Sequence, residues 1–117
     1  MAPSRRERSA GHAHAVRRLK LTSDATREHT ASLFRALGDP ARLKLIEALA
    51  ASEWCVGELA EMVEGDPTTL SQRLRVLRHE GLVDRRRSGR HIFYRLKDEH
   101  VADLIRNAFA HTREKES

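Results

Sequence analysis

The sequence predicts a mainly α-helical domain with one β-hairpin: four helices, two short strands and a closing helix. Three observations carry this. Apolar residues recur at helical spacing from about Asp24 to His79 and again from Val101 to Phe109. Between these stretches, after Gly81, the apolar period falls to two. Glycines and Asp-Pro pairs punctuate the helical region wherever one helix must stop and another start.

Residues 1–22 lack steady periodicity and are expected to form a mobile basic tail, which leaves 23–117 as a single domain. From about Asp24 a first helix sets Ala31, Leu33, Phe34 and Leu37 on one side. Gly38 stops it. Asp39 then caps a second helix, with Pro40 preorganised for its first position, and Leu43, Leu45, Ile46, Leu49 and Ala50 supply the apolar face. A third, short helix is expected over Val56 to Val63, with Val56, Leu59, Ala60 and Val63 inward. Glu64-Gly65-Asp66-Pro67 breaks and re-caps the chain: the glycine is expected to end one helix and Asp-Pro to begin the next. That fourth helix runs to about His79, with Leu70, Leu74 and Leu77 inward. Two helices joined by a short Gly-containing turn make a helix-turn-helix.

Leu82-Val83 leads into Arg85-Arg86-Arg87, Ser88-Gly89 turns the chain, and His91 to Leu96 alternates; this is a hairpin. Asp98 caps a last helix to about Arg113, whose stripe is Val101, Leu104, Ile105, Ala108 and Phe109. The whole reads as a winged helix-turn-helix. No internal repeat or low-complexity segment is present in the sequence.

At 117 residues there is room for one compact domain. Aromatics are only 4% of the chain, so the core must be built from Leu, Ile, Val and Ala. No apolar run approaches the ~20 residues needed to cross a bilayer, and no membrane partner is expected. The N-terminal arginines have no apolar segment behind them, which argues against a secretory signal but is compatible with an organellar presequence. A single cysteine, Cys55, excludes an intrachain disulfide and fits a reducing compartment; a cytoplasmic protein is expected.

Charge is segregated. The tail carries Arg5, Arg6, Arg8, Arg17, Arg18 and Lys20 against Glu7 alone. Residues 53–66 hold acids but no Lys or Arg, whereas nine basic groups fall within 73–97 against Glu80 and Asp84. Such a block suits a polyanion, though a solvated basic face would explain charge alone as well. Position decides between them. In a helix-turn-helix the second helix lies in the major groove of double-stranded DNA, and its early residues reach base edges. Here those residues are Thr68, Thr69, Ser71, Gln72 and Arg73, and Arg75 further along is also expected to contact DNA. Hydroxyls approach phosphates and bases closely, Gln can pair with adenine, and Arg with guanine or phosphate. Arg85, Arg86, Arg87 and Arg90 make a positive wing beside that helix, suited to the DNA backbone or minor groove.

Four stretches resemble the ArsR/SmtB family of metal-responsive repressors: Leu37-Gly38-Asp39-Pro40-Ala41-Arg42-Leu43, Cys55-Val56-Gly57-Glu58-Leu59-Ala60, Leu70-Ser71-Gln72-Arg73-Leu74-Arg75-Val76-Leu77, and Gly89-Arg90-His91-Ile92-Phe93-Tyr94-Arg95-Leu96. The resemblance covers roughly residues 24–114. It implies a homodimer that occupies operator DNA when metal-free and releases it on binding an inducer.

Two ligand sets follow for that inducer. On the last helix stand Asp98, His100, His111 and Glu114. His100 and His111 are eleven residues apart, about 20° in helical angle, so they share a face; Glu114 lies roughly 60° from His111. Eleven residues also span about 16 Å, too far for one ion within a chain. The set closes only if a second copy packs antiparallel, Asp98 and His100 of one subunit meeting His111 and Glu114 of the other. Two imidazoles and two carboxylates suit Zn(II), with Co(II) or Ni(II) as further candidates. Taken singly, each residue has a plainer reading: Asp98 is an N-cap, Glu114 a terminal acid, and His111 is favourable near a helix C-terminus. The four positions nonetheless resemble, residue for residue, the pattern of the zinc-sensing members.

The second set is Cys55 and Glu58, one helical turn apart, with His12 and His14 from the partner's tail. Its plain reading is a buried small thiol and an unstructured tail. With no further cysteine, arsenite, lead and cadmium are poor candidates. His29, His79 and His91 are not expected to be ligands.

No phosphate-cradling glycine loop or nucleophile–base set is present, so neither an enzyme nor a small organic substrate is expected. The alternatives keep the fold and change the signal: a redox or other non-metal effector, an intersubunit Cys55 disulfide being the only one available, or a constitutive DNA binder.

Overall fold

The computed structural model describes residues 17–116. Helix α1 spans Asp24–Leu37 and α2 Pro40–Ala51. A short strand β1, Trp54–Cys55, precedes α3 (Val56–Val63) and α4 (Pro67–His79). The hairpin is β2 (Val83–Ser88) and β3 (His91–Leu96), and α5 (Glu99–Glu116) closes the chain. Residues 17–22, part of the expected tail, are exposed and outside any helix or strand; the rest of that tail, with His12 and His14, lies outside the described residues. Among the described residues no helix is long and apolar enough to cross a membrane.

Helix starts follow the expected side-chain caps. Asp39 Oδ2 accepts from Arg42 N at 2.9 Å, Asp66 Oδ2 from Thr69 N at 3.0 Å, and Asp98 Oδ1 from Val101 N at 3.2 Å. Each satisfies an amide that a helix start would otherwise leave unpaired. Arg42 closes the other side of the first junction, its Nε donating to Ala36 O at 2.7 Å at the end of α1.

The helix ends correct one expectation. Glu64, not Gly65, takes the left-handed conformation after α3, at φ 55° and ψ 49°. Gly65 N then donates to Ala60 O at 2.8 Å, the six-to-one bond of a Schellman ending. After α4 the same job falls to Gly81, at φ 73°, with Leu82 N donating to Leu77 O at 2.9 Å. The hairpin loop is Gly89-Arg90, because Ser88 already pairs with His91. Gly89 has φ 62° and Arg90 is not in the positive region, the pattern of a II′ turn.

The sheet has three strands, not two, in the order β1-β3-β2. Trp54 pairs with Tyr94 and Cys55 with Phe93. Trp54 Nε1 donates to Ala48 O at 2.9 Å, which fastens β1 to the last turns of α2. The core joins all layers: Leu45 and Ile46 from α2, Leu59 from α3, Leu70, Leu74 and Leu77 from α4, and Leu82 are almost wholly buried. Val101 and Ile105 of α5 belong to this same core, at 8% and 3% exposure. The stripe on α5 is therefore split, with Leu104 half-buried and Ala108 exposed.

Candidate nucleic-acid interface and metal ligands

The leucines that seat α4 determine which residues it shows to solvent. Thr68, Ser71, Gln72, Arg75, Val76 and His79 are exposed. At 3.6 residues per turn, Thr68, Gln72, Arg75 and His79 fall within about 60° of one another, a single stripe along the helix. Two expected contacts stand apart from it. Thr69 is half-buried and engaged in the cap, its Oγ1 donating to Asp66 Oδ2 at 3.2 Å. Arg73 is half-buried on the flank, about 140° around from Thr68. Sequence reasoning passed over Arg78 and His79 in the last turn of α4: His79 continues the stripe and half-buried Arg78 lies about 60° to the side of Arg75; the i, i+3, i+4 spacing from Arg75 was the available signal.

The wing arginines are not equivalent. Strand alternation sets Arg85 and Arg87 on the face shared with Val83, and Arg86 on the other. All three, with Arg90, are exposed. Arg86 is nonetheless engaged: its Nη2 donates to Glu53 Oε2 at 2.8 Å and its Nε to Oε1 at 3.0 Å. Its guanidinium carbon also stands 4.9 Å from the Phe93 ring centroid. Arg95 approaches the same carboxylate at 3.8 Å. Hydrogen bonding from Arg86 holds the Glu53 carboxyl below its ordinary value, opposed by burial and assisted by the charges of Arg86 and Arg95. This departs from the expectation for Arg86, whose two-point pair ties the base of the wing to the β1 segment. Arg87 Nε donates to Gly89 O at 3.2 Å within the loop. Arg85 and Arg90 carry no such tie among the described residues.

Asp98 and His100 are neighbours, His100 Nδ1 lying 3.6 Å from Asp98 Oδ1, and the imidazole is 95% exposed. His111 and Glu114 are exposed near the far end of α5. Among the described residues no three metal-binding side chains gather within one chain. The donor set fits a metal only as two half-sites, one at each end of α5. The other pair is in contact: Cys55 Sγ donates to Glu58 Oε1 at 3.0 Å, and Cys55 N reaches the same oxygen at 3.4 Å. The thiol hydrogen bond, then the amide one, lowers the Glu58 pKa against burial. As they stand the two residues form the reciprocal cap of α3, with Cys55 half-buried.

Comparison with known proteins agrees with the winged helix-turn-helix fold. Residues 39–85 match the bacterial regulatory protein arsR family. The chain is 42% identical over 87 residues to the transcriptional repressor SmtB homolog of Synechocystis sp., covering 74% of this chain and 66% of that one. It is 46% identical over 80 residues to the biofilm growth-associated repressor of Agrobacterium fabrum, covering 68% of each. The solution structure of a homodimeric winged helix-turn-helix DNA-binding domain from Mycobacterium bovis superposes with a TM-score of 0.76 at 31% identity, covering 83% of this chain and 93% of that one.

Proposed function

Because the chain belongs to the arsR family of bacterial regulatory proteins, we propose that it is a metal-responsive repressor that binds operator DNA as a homodimer and leaves it on binding Zn(II) or a similar divalent ion. It is a DNA-binding regulator and not an enzyme. The observation that carries the sensing role is the division of ligands on α5, Asp98 with His100 at one end and His111 with Glu114 at the other. Each half is incomplete within a chain, and an antiparallel α5 from a second copy supplies what it lacks.

Thr68, Ser71 and Gln72 are the side chains of α4 that enter the major groove, with Thr69 and Arg73 at its flanks and Arg75 one turn further along the helix. Arg85, Arg87 and Arg90 approach the backbone, and Arg86 holds the wing in place for them. Bound zinc would supply four-ligand cross-ties between the subunits. The protein's part is to make the metal-competent arrangement of the two α5 helices differ from the one that spaces two α4 helices for DNA. Linkage then requires that each ligand oppose the other. A coupling of ordinary size lowers operator affinity roughly 5- to 150-fold.

Zinc titration of the protein bound to an operator selected from random duplexes tests this. The parent should be released, while His100→Ala and His111→Ala should bind DNA normally and stay bound. Cys55→Ser should respond like the parent. An unresponsive Cys55→Ser beside responsive histidine variants transfers the sensor to Cys55, Glu58, His12 and His14. Failure of every metal to release the parent leaves a non-metal signal or constitutive binding.

A further inference from the structure

We infer that Arg75, Arg78 and His79 form a seat for a backbone phosphate of the bound duplex, at the C-terminal end of α4 and separate from the residues that read bases. The inference rests on the DNA-binding reading above. These three side chains line one shallow depression of about 240 Å³ on the surface of α4. They stand at i, i+3 and i+4, the spacing that brings side chains together on a helix surface. Among the described residues none of them has a carboxylate partner, in contrast to Arg86, Arg95 and Arg106, each of which does.

Two basic groups in the last turn of a helix have an ordinary explanation in the helix dipole. It does not account for Arg75, one turn earlier, or for alignment of Arg75 and His79 with Thr68 and Gln72. Length supplies the further reason. Thr68 to His79 spans about 16 Å along the axis, whereas the major groove is about 12 Å wide. A helix that brings its first turn to base edges therefore carries its last turn out over the flanking backbone. Two guanidinium groups and an imidazole with no acid between them meet a phosphate there. Arg78 supplies a planar fork of donors, Arg75 a second guanidinium, and His79 an imidazole N–H.

The test uses the full chain and duplexes of matched and scrambled sequence, with affinity measured across a salt series. Arg78→Gln and His79→Gln alter exposed or half-exposed side chains without internal bonds, and unchanged thermal melts confirm folding. Arg78→Gln should weaken binding to both duplexes alike and reduce the slope of log K against log salt by about one unit for each lost contact. His79→Gln should weaken both duplexes equally, with a smaller effect. An unchanged slope in Arg78→Gln, while Arg90→Ala lowers it, removes the seat and leaves the interface standing. A parent that binds neither duplex overturns both.

Discussion

Arg86 and Glu53, thirty-three residues apart, meet in a two-point ion pair that joins the wing to the β1 segment. Glu53 is held below its ordinary value of 4.5, chiefly by hydrogen bonding from Arg86. For a carboxyl depressed in the folded state, the stabilisation is present above the unfolded-state value and is lost as pH falls through the lower, folded value. The pair is partly exposed, so its worth at neutral pH is small. Glu53→Gln should therefore sit slightly below the parent in thermal melts at pH 7, and the two curves should converge as pH falls below 4.5. A gap that persists at pH 3 would assign the difference to something other than this titration.

Most of the fold was legible because its punctuation is chemical. Asp39, Asp66 and Asp98 announce three helix starts, and each makes the expected bond. What escaped was short or distant. Strand β1 has two residues, too few to show a period, and its pairing partner Tyr94 is forty residues away. The helix face shared by His100, His111 and Glu114 was legible from helical angle, whereas the Arg86–Glu53 pair depends on a β1 placement that periodicity could not supply. Arg73 and Arg75 look equivalent in sequence, and only burial of Leu70, Leu74 and Leu77 turns one to the flank and the other outward.

Ser32 Oγ donates to Glu80 Oε1 at 2.7 Å, tying α1 to the residue that follows α4. The bond is partly buried and its acceptor is charged, so Ser32→Ala should cost about 1 kcal/mol. Urea denaturation measures this directly. A midpoint identical to the parent's would show that water replaces the serine without loss.

Glu64 occupies a left-handed backbone position, at φ 55°, where a β-carbon is unfavourable. Glu64→Gly relieves about 1–2 kcal/mol of that strain and returns about 0.5–1 kcal/mol as added unfolded-state entropy. A net gain of roughly 0.5–1 kcal/mol is expected from this difference. Gly81 has φ 73° at the matching position after α4, so Gly81→Ala should move stability the opposite way. Calorimetry on the two variants should give melting shifts of opposite sign, and shifts of the same sign would contradict the assignment of both helix ends.

The last prediction separates the two sides of α5. Val101 and Ile105 are buried in the chain's own core, at 8% and 3% exposure, so a charge there strikes the fold. Leu104 is half-buried and Ala108 exposed. Both lie within about 80° of His100 in helical angle, as does His111, so Leu104, at the edge of the core, and exposed Ala108 share one face with the two histidines. If that face meets its copy, Leu104→Glu should leave a folded monomer, because a carboxylate in an apolar contact is costly unless paired. That monomer should also lose tight operator binding, since two half-sites must be engaged together. Val101→Glu should instead lose helicity and cooperative melting. Sedimentation and circular dichroism on the pair distinguish these outcomes. A Leu104→Glu protein that stays dimeric, or a parent already monomeric at micromolar concentration, would remove the α5 interface, and with it the only arrangement in which Asp98, His100, His111 and Glu114 complete one another.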